Sequence, residues 1–356
     1  MAAKITHLEV LRQSIYLMEH GDSIEKDISR LVNFPGHLHY ASLGAIAPDL
    51  FYFFNVLSRR KNKAGQRWGN LLHHKNVLEM ILSLLDNTGN ETGEKRNRKL
   101  SFVLGYISHC AVDIVTHPYI FYIAGDYYSH DKKKAEKAQL NHLRVEYALD
   151  SYLVHQRWGM NPHEYNYIQY VDSSLQRKRK ILSGRVDPDI RNLWMTSLKS
   201  IFPDEFGQFN AESPGKDDPI DESYRDFILF NRILDTGSSS VRMLLRVVDL
   251  ITFRRSKLRV LLLPPREKIP ERMPNEKHAL WKYPADPRKT SEESFMDLIH
   301  RSARFSNEMM KDAVNYLNGK IRRKEMIQKY SEYNLDTGIR NESIDMKAFE
   351  PIEDEA

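Results

Sequence analysis

The stretch Leu104-Gly105-Tyr106-Ile107-Ser108-His109-Cys110-Ala111-Val112-Asp113-Ile114-Val115-Thr116-His117-Pro118 constrains the fold more than any other part of the chain. Three side chains able to bind a metal fall four residues apart in it, inside an otherwise apolar run. On a helix each step of four advances about 400°, so His109, Asp113 and His117 drift only about 40° per step and share one face. A helix this apolar is expected to be buried, and a buried imidazole or carboxylate without a partner is costly. Either a hydrogen-bonded polar network or a bound metal ion resolves such a stripe. The single cysteine, Cys110, points about 100° away from His109 and reads as a small buried filler.

A second motif tilts the balance toward metal. Asn141-His142-Leu143-Arg144-Val145-Glu146 again sets a histidine and a carboxylate one turn apart, with Asp150 one turn further on. Two adjacent helices that each present a His/carboxylate face are what carboxylate-bridged metal sites in helical bundles use.

The rest of the chain points to an all-α fold, a single multi-helix domain with long Pro-rich loops. Ile5, Leu8, Leu11, Ile15 and Met18 form a helical stripe that carries His7 and ends at Gly21. Asp22-Ser23 caps a short helix through about Asn33. His37 to Phe51 is small and apolar, closed by a Pro48-Asp49 stop at which aspartate is ordinarily a cap or turn residue. A basic loop, Ser58 to Gln66, precedes one helix from Trp68 to Leu85 with His73-His74 near its start, and a polar loop runs from Asn87 to Arg98. Pro118 is expected to interrupt the central helix, and the next helix begins after the charged run Asp131 to Lys137. Further helices are expected at about Glu164–Leu182, Pro188–Phe202, Ile220–Leu234 and Val241–Phe253, with a loop at Pro203–Pro219. Leu263 to Pro287 is an extended excursion whose Trp281 and Tyr283 should pack back onto the domain. Ser291 then caps a last helix to about Asn318. The domain is taken as residues 1–320, and residues 321–356 as a polar, loosely ordered tail.

Composition bounds the function class. Of the 356 residues, 41% are hydrophobic and 28% charged, a balance of globular chains and not of disordered ones. No apolar run approaches the roughly 20 residues that span a bilayer. The polar Met1-to-Glu9 start lacks the features of a secretory signal, so a cytoplasmic location is the expectation. A net charge of +5 is too mild to argue for nucleic acid. Arg246 to Arg259 interleaves apolar and basic residues. It fits a core helix with a solvated basic end more readily than a helix in peripheral contact with an anionic membrane.

Taken in order, Pro48-Asp49, His73/His74, His109-x3-Asp113-x3-His117-Pro118 and His142-x3-Glu146 resemble the zinc-dependent phospholipase C superfamily. That superfamily also includes the amino-terminal domain of glycosylphosphatidylinositol-specific phospholipase D and, more distantly, the single-strand-specific zinc nucleases. The Thr6-His7 start and the Trp281-to-Leu317 block extend the resemblance over about residues 1–320. The resemblance implies a first zinc held by Asp49, one of His73 or His74 (His73 preferred), His109 and Asp113. It implies a second held by His117, His142 and Glu146, and a third by His7 and a bridging Asp113. In secreted members the free amino-terminal tryptophan completes the third site, whereas this chain starts Met1-Ala2-Ala3, so about two or three ions are expected. The spacing from Asp113 to His117 is two residues shorter than in secreted members, which leaves Asp126 and His130 as competitors for that position.

Zinc accepts imidazole and carboxylate ligands and lowers the pKa of a bound water toward about 7, supplying hydroxide at neutral pH. The resemblance therefore implies a metal-dependent phosphoric diester hydrolase. Asp49 would orient or deprotonate the attacking water, and a phospholipid or other phosphodiester would be the substrate. A zinc nuclease on the same scaffold is the alternative. It would stack bases on Tyr119, Phe121, Tyr122, Tyr127 or Tyr128, but only Lys132 to Lys134 supplies a run of basic residues. A non-catalytic, metal-bound interaction protein is the third reading.

Overall fold

Apolar residues at helical spacing fold the first half of the chain into consecutive helices: α1 (Lys4–Glu19), α2 (Ser23–Asn33), α3 (His37–Leu50), α4 (Arg59–His74), α5 (Val77–Gly89), α6 (Gly93–Ala124) and α7 (Lys132–Trp158). After them come α8 (Pro188–Ile201), α9 (Pro203–Glu212) and α10 (Pro219–Asp235), then a hairpin of β1 (Trp281–Tyr283) and β2 (Asp286–Ser291), and finally α11 (Phe295–Leu317) and α12 (Arg323–Tyr330). The computed structural model describes residues 4–55, 59–171, 184–212, 219–235, 243, 247 and 262–352. The fold is all-α, as the periodicity predicts.

α6 is the axis. Every residue on it from Lys99 to Ala124 is buried, and α3, α11, α5, α7 and α1 pack around it. It is also long and apolar enough to cross a membrane, contrary to the expectation that no run approaches that length, but its apolar window is wholly buried inside the protein. Fully buried side chains such as Phe102, Leu104, Ile107 and Val112 each contribute about 1.5–3 kcal/mol by leaving water.

α3 and α6 meet backbone to backbone. A Cβ on Gly105 would lie 1.9 Å from the Ala41 carbonyl oxygen, and one on Gly44 would lie 2.0 Å from that of Phe102. Only glycine permits that approach. It brings Asp49, at the end of α3, alongside His109 and Asp113 on α6.

α1 is fixed from a distance. Asp150 on α7 accepts hydrogen bonds from Ile5 N (3.1 Å), Thr6 N (2.8 Å) and Thr6 Oγ1 (2.8 Å), capping the helix that carries His7. Lys4 reinforces this start, donating to Tyr147 Oη (3.1 Å) and Tyr167 Oη (3.3 Å). α2 starts with the reciprocal Asp22/Glu25 capping box.

Where the elements differ from expectation, packing overrides local punctuation. Pro118 does not stop α6, which runs to Ala124 because its apolar burial outweighs one lost hydrogen bond, whereas α3 ends at Leu50, one residue past the expected Pro48-Asp49 stop. The expected 68–85 helix is two, broken where Asn76 turns left-handed at φ 53°, and the basic loop is instead the first half of α4. The polar loop Asn87–Arg98 is already helical from Gly93. Pro203 opens α9 where a loop is expected, since proline fits a first helical position. Pro162–Glu164 and Tyr167–Tyr170 form 3₁₀ turns, and the rest of the helix expected there falls largely outside the described residues. So do the 241–253 helix and the basic Arg246–Arg259 segment, apart from Met243 and Val247.

The Pro-rich excursion contains the hairpin, with Trp281 paired to Ser291, and both aromatics are buried, Trp281 with its ring 5.2 Å from that of Tyr119 on α6. Ser294 with Asp297, not Ser291, caps α11. Among the described residues, parts of the tail pack on the domain. After α12, Asn334 and Leu335 are fully buried, and residues 350 and 352 hydrogen-bond to Tyr122 and Ile123 at the end of α6.

Gly105→Ala is expected to force α3 and α6 apart and to cost about 1–3 kcal/mol, read as a lowered thermal midpoint by circular dichroism. Asp150→Ala, which leaves two backbone donors uncapped, is expected to cost about 1–2 kcal/mol in the same assay.

Candidate metal centre

The shared face predicted for α6 exists, and four other helices supply donors to it. Three groups of side chains bring one donor atom each to within 4.8 Å of one another: His7, His109 and Asp113; Asp49, His73 and His109; and His117, His142 and Glu146. All eight residues proposed from sequence are buried and meet in these groups.

Asp113 stands at the middle. Its Oδ2 lies 3.1 Å from His109 Nε2 and 3.3 Å from His73 Nε2; its Oδ1 lies 3.4 Å from both His7 Nε2 and His117 Nε2. Asp49 approaches the same histidines, with Oδ1 3.3 Å from His73 and Oδ2 3.7 Å from His7. On the other side Glu146 Oε1 lies 3.1 Å from His142 Nε2 and 3.7 Å from His117 Nε2. Nε2 of His73 and of His109 are only 3.4 Å apart, so two imidazoles aim at one point.

The far nitrogens explain that aim. His109 Nδ1 pairs with the Ala45 carbonyl at 3.0 Å, His73 Nδ1 with that of Gly69 at 2.7 Å, and His117 Nδ1 with that of Leu335 at 3.1 Å. A carbonyl can only accept, so each Nδ1 carries a proton, and Nε2 is the nitrogen that faces the centre and would bind a metal once it is deprotonated. His7 is held differently, its ring stacked on His109 at 4.2 Å.

The donor set fits a cation. Asp49 Oδ2, both oxygens of Asp113 and Glu146 Oε2 are buried without a hydrogen-bond partner. Carboxylates in that state normally need a donor or a metal. Burial works against charge on Asp113, but His117 and His109 hold its pKa well below the usual carboxylate range. Burial likewise opposes charge on Glu146, and His142 and His117 bring it down to about 2. His7, with burial and His109 both disfavouring its protonation, falls to about 4. Burial would lower His73 too, yet Asp113 and Asp49 outweigh it and raise it to about 10. Protons on histidines such as His73 thus balance the carboxylates, and a metal entering the cluster must displace them.

His73 and not His74 faces the cluster. His74 Nε2 instead meets Asp336 Oδ2 at 2.8 Å and the Tyr128 hydroxyl at 3.0 Å. Asp126 and His130 join none of the three groups, Asp150 serves as the cap of α1, and Cys110 is a buried free thiol that burial pushes well above its ordinary pKa. Sequence reasoning missed Asp336. It lines the same cavity as Asp49, His73, His117, His142 and Glu146, a space of about 20 Å³ lined also by Asn70, Tyr52, Phe121, Tyr127 and Tyr128. The available signal was an apolar residue set among turn formers, Asn334-Leu335-Asp336-Thr337-Gly338.

A family model described as zinc dependent phospholipase C matches residues 6–203, a span that holds all three groups and ends before Asp336. No curated protein and no solved structure matches the chain.

Protein purified without chelator or histidine tag is expected to carry about two or three equivalents of zinc by inductively coupled plasma mass spectrometry, partly lost in His109→Ala and in His142→Ala. Less than about one equivalent, unchanged by either substitution, would leave only a hydrogen-bonded network. Zinc binding to the stripped protein is expected to release protons and to weaken as pH falls, because the histidines must be neutral to bind. Calorimetry in buffers of different ionisation enthalpy measures that release.

Proposed function

We propose, from a chain that belongs to the zinc-dependent phospholipase C family, that this protein hydrolyses phosphodiesters and takes phospholipids as its substrate class. The observation that carries the reading is the set of three adjoining His/carboxylate groups, in which His109 is shared and Asp113 reaches both sides of the cluster. Zinc bound there supplies Lewis acidity and a water whose pKa is lowered toward about 7.

The chain's own residues do the rest. Asp49, His73, His109 and Asp113 would hold one ion, His117, His142 and Glu146 a second, with His7 and Asp113 beside a third. Asp49 Oδ2, which has no hydrogen-bond partner, is the atom suited to take the proton of the attacking water. The new bond joins that water's oxygen to phosphorus, the bond from phosphorus to the glycerol oxygen breaks, and the proton passes to the departing alcohol. Diacylglycerol and a phosphorylated head group result. The imidazoles, fixed by the Ala45, Gly69 and Leu335 carbonyls, keep their geometry while the charge moves.

An apolar neighbour supports a lipid. Asn70 and His74 also line a recess of about 290 Å³ with Trp68, Leu71 and Phe209 and the charged Arg67, Lys75 and Glu205, and Asn70 belongs to the metal cavity as well. Such a recess suits an acyl chain beside a phosphate. For the nuclease reading, Tyr127 and Tyr128 line the metal cavity, but Tyr119, Phe121 and Tyr122 are buried in packing, Phe121 with its ring 4.6 Å from His142. The non-catalytic reading has one observation in its favour, the 20 Å³ cavity, which is too small for a phosphodiester as it stands.

Zinc-loaded protein is expected to hydrolyse p-nitrophenylphosphorylcholine and, faster, phosphatidylcholine in vesicles. Asp49→Asn is expected to lower kcat by about 10²–10⁴ in molecules that retain zinc. Full zinc occupancy with no turnover of either substrate would decide for the non-catalytic reading.

A further inference from the structure

The segment 331–343 crosses the mouth of the cluster as a strap, and it lies outside the residues that the family model matches. Its hold on the site is specific. Leu335 N donates to the carbonyl of His73 at 2.8 Å, and the Leu335 carbonyl accepts from His117 Nδ1 at 3.1 Å. The neighbouring Asp336 brings Oδ1 to 3.5 Å from the same His117 Nδ1, while its Oδ2 is held by His74 at 2.8 Å and by the Tyr128 hydroxyl.

The strap is preformed to make these contacts. Asn334 Oδ1 accepts from Asp336 N (2.9 Å) and Thr337 N (3.1 Å), and Gly338 N returns to the Asn334 carbonyl at 2.9 Å, so the turn is tied to itself. Gly338 has φ +63°, and a Cβ there would lie 2.3 Å from the Ile114 carbonyl oxygen and 2.5 Å from Pro118 Cγ. Ile114 O is the oxygen that Pro118, lacking an N–H, cannot pair within α6. The proline thus prepares the place where the strap sits down, one helical turn from Asp113 and next to His117.

We propose that this strap is part of the metal centre and that Asp336 is a positioning residue for the His117 side of it. Acting with the Leu335 carbonyl, Asp336 orients the imidazole, raises its basicity as a ligand and keeps Nε2 toward Glu146 and Asp113. His74 and Tyr128 in turn hold Asp336. The proposal rests on the metal-site reading above and assigns to residues far outside the matched span a share in the affinity of one ion.

The test is zinc affinity of the full-length, metal-stripped chain, titrated with Zn²⁺ against a chromophoric chelator, for wild type, Asp336→Asn and Gly338→Ala. Both variants are expected to weaken the ion held on the His117 side by about 10- to 100-fold while the other is unchanged. Cobalt(II) in the same site should show an altered visible spectrum. A merely structural strap gives the opposite pattern, in which the metal-free Asp336→Asn protein melts lower than wild type and zinc binding is untouched. That outcome overturns the proposal. Asp336→Asn takes one partner from the buried pairs with His74 and His117, so its metal-free form is expected to melt lower whatever the strap does, and zinc affinity alone separates lost ligation from lost folding. If wild type itself binds no zinc, both this proposal and the functional reading fail. Zinc bound alike by wild type and both variants removes only the role of the strap.

Discussion

The contact of α3 with α6 underlies everything else in the molecule. Two glycines on facing helices let a backbone carbonyl sit where a side chain would ordinarily stand. The apolar stripe on each helix supplies the driving force, and the glycines set how closely it is spent. At that separation the Ala45 carbonyl reaches His109 Nδ1, and Asp49 comes within 4.0 Å of the same ring. A bulkier pair would leave the same eight side chains on the same helices but out of reach of one another. Shape at the core thus decides chemistry at the centre, through backbone spacing and not through any ligand.

The electrostatics follow from that closeness. Asp49, Asp113, Glu146 and Asp336 are four carboxylates in one buried region, each with a histidine at 3.1–3.5 Å. Isolated, such charges could not stay ionised. The histidines divide into those raised by the carboxylates, as His73 is, and those that burial keeps neutral, as His7 is. The division comes from position: His73 lies 3.3 Å from an oxygen of each of Asp49 and Asp113, whereas His7 lies 3.7 and 3.4 Å from them and stacks on His109.

How much of this was legible depends on whether a feature repeats locally. The stripe on α6 and the His142/Glu146 pair repeat at helical spacing, so their faces could be read directly, and the order of ligands carried the family. Helix ends were less legible, because Pro118 is a local breaker whose effect is reversed by burial that no window of sequence contains. The choice between His73 and His74 turned on the orientation of α4, which Phe51 and the glycines Gly65 and Gly69 fix by close packing. Asp336 was invisible for a stronger reason: it is one carboxylate in a polar tail, and its partners His74, His117 and Tyr128 lie more than two hundred residues earlier. The capping role of Asp150 was hidden likewise, since its donors belong to the first turn of α1.

The two stretches that close the cluster come from opposite ends of the sequence, His7 in the first turns of α1 and the Leu335-Asp336 pair after α12. During synthesis α1 emerges first and waits for α7 before Asp150 can cap it, and the ring of His117 has no carbonyl to lean on until residue 335 has left the ribosome. Every helix that carries a donor is by then complete. The final arrangement of the cluster therefore waits on residues far downstream of its last donor, Glu146, and ions that enter earlier meet a looser set of donors than the folded protein offers.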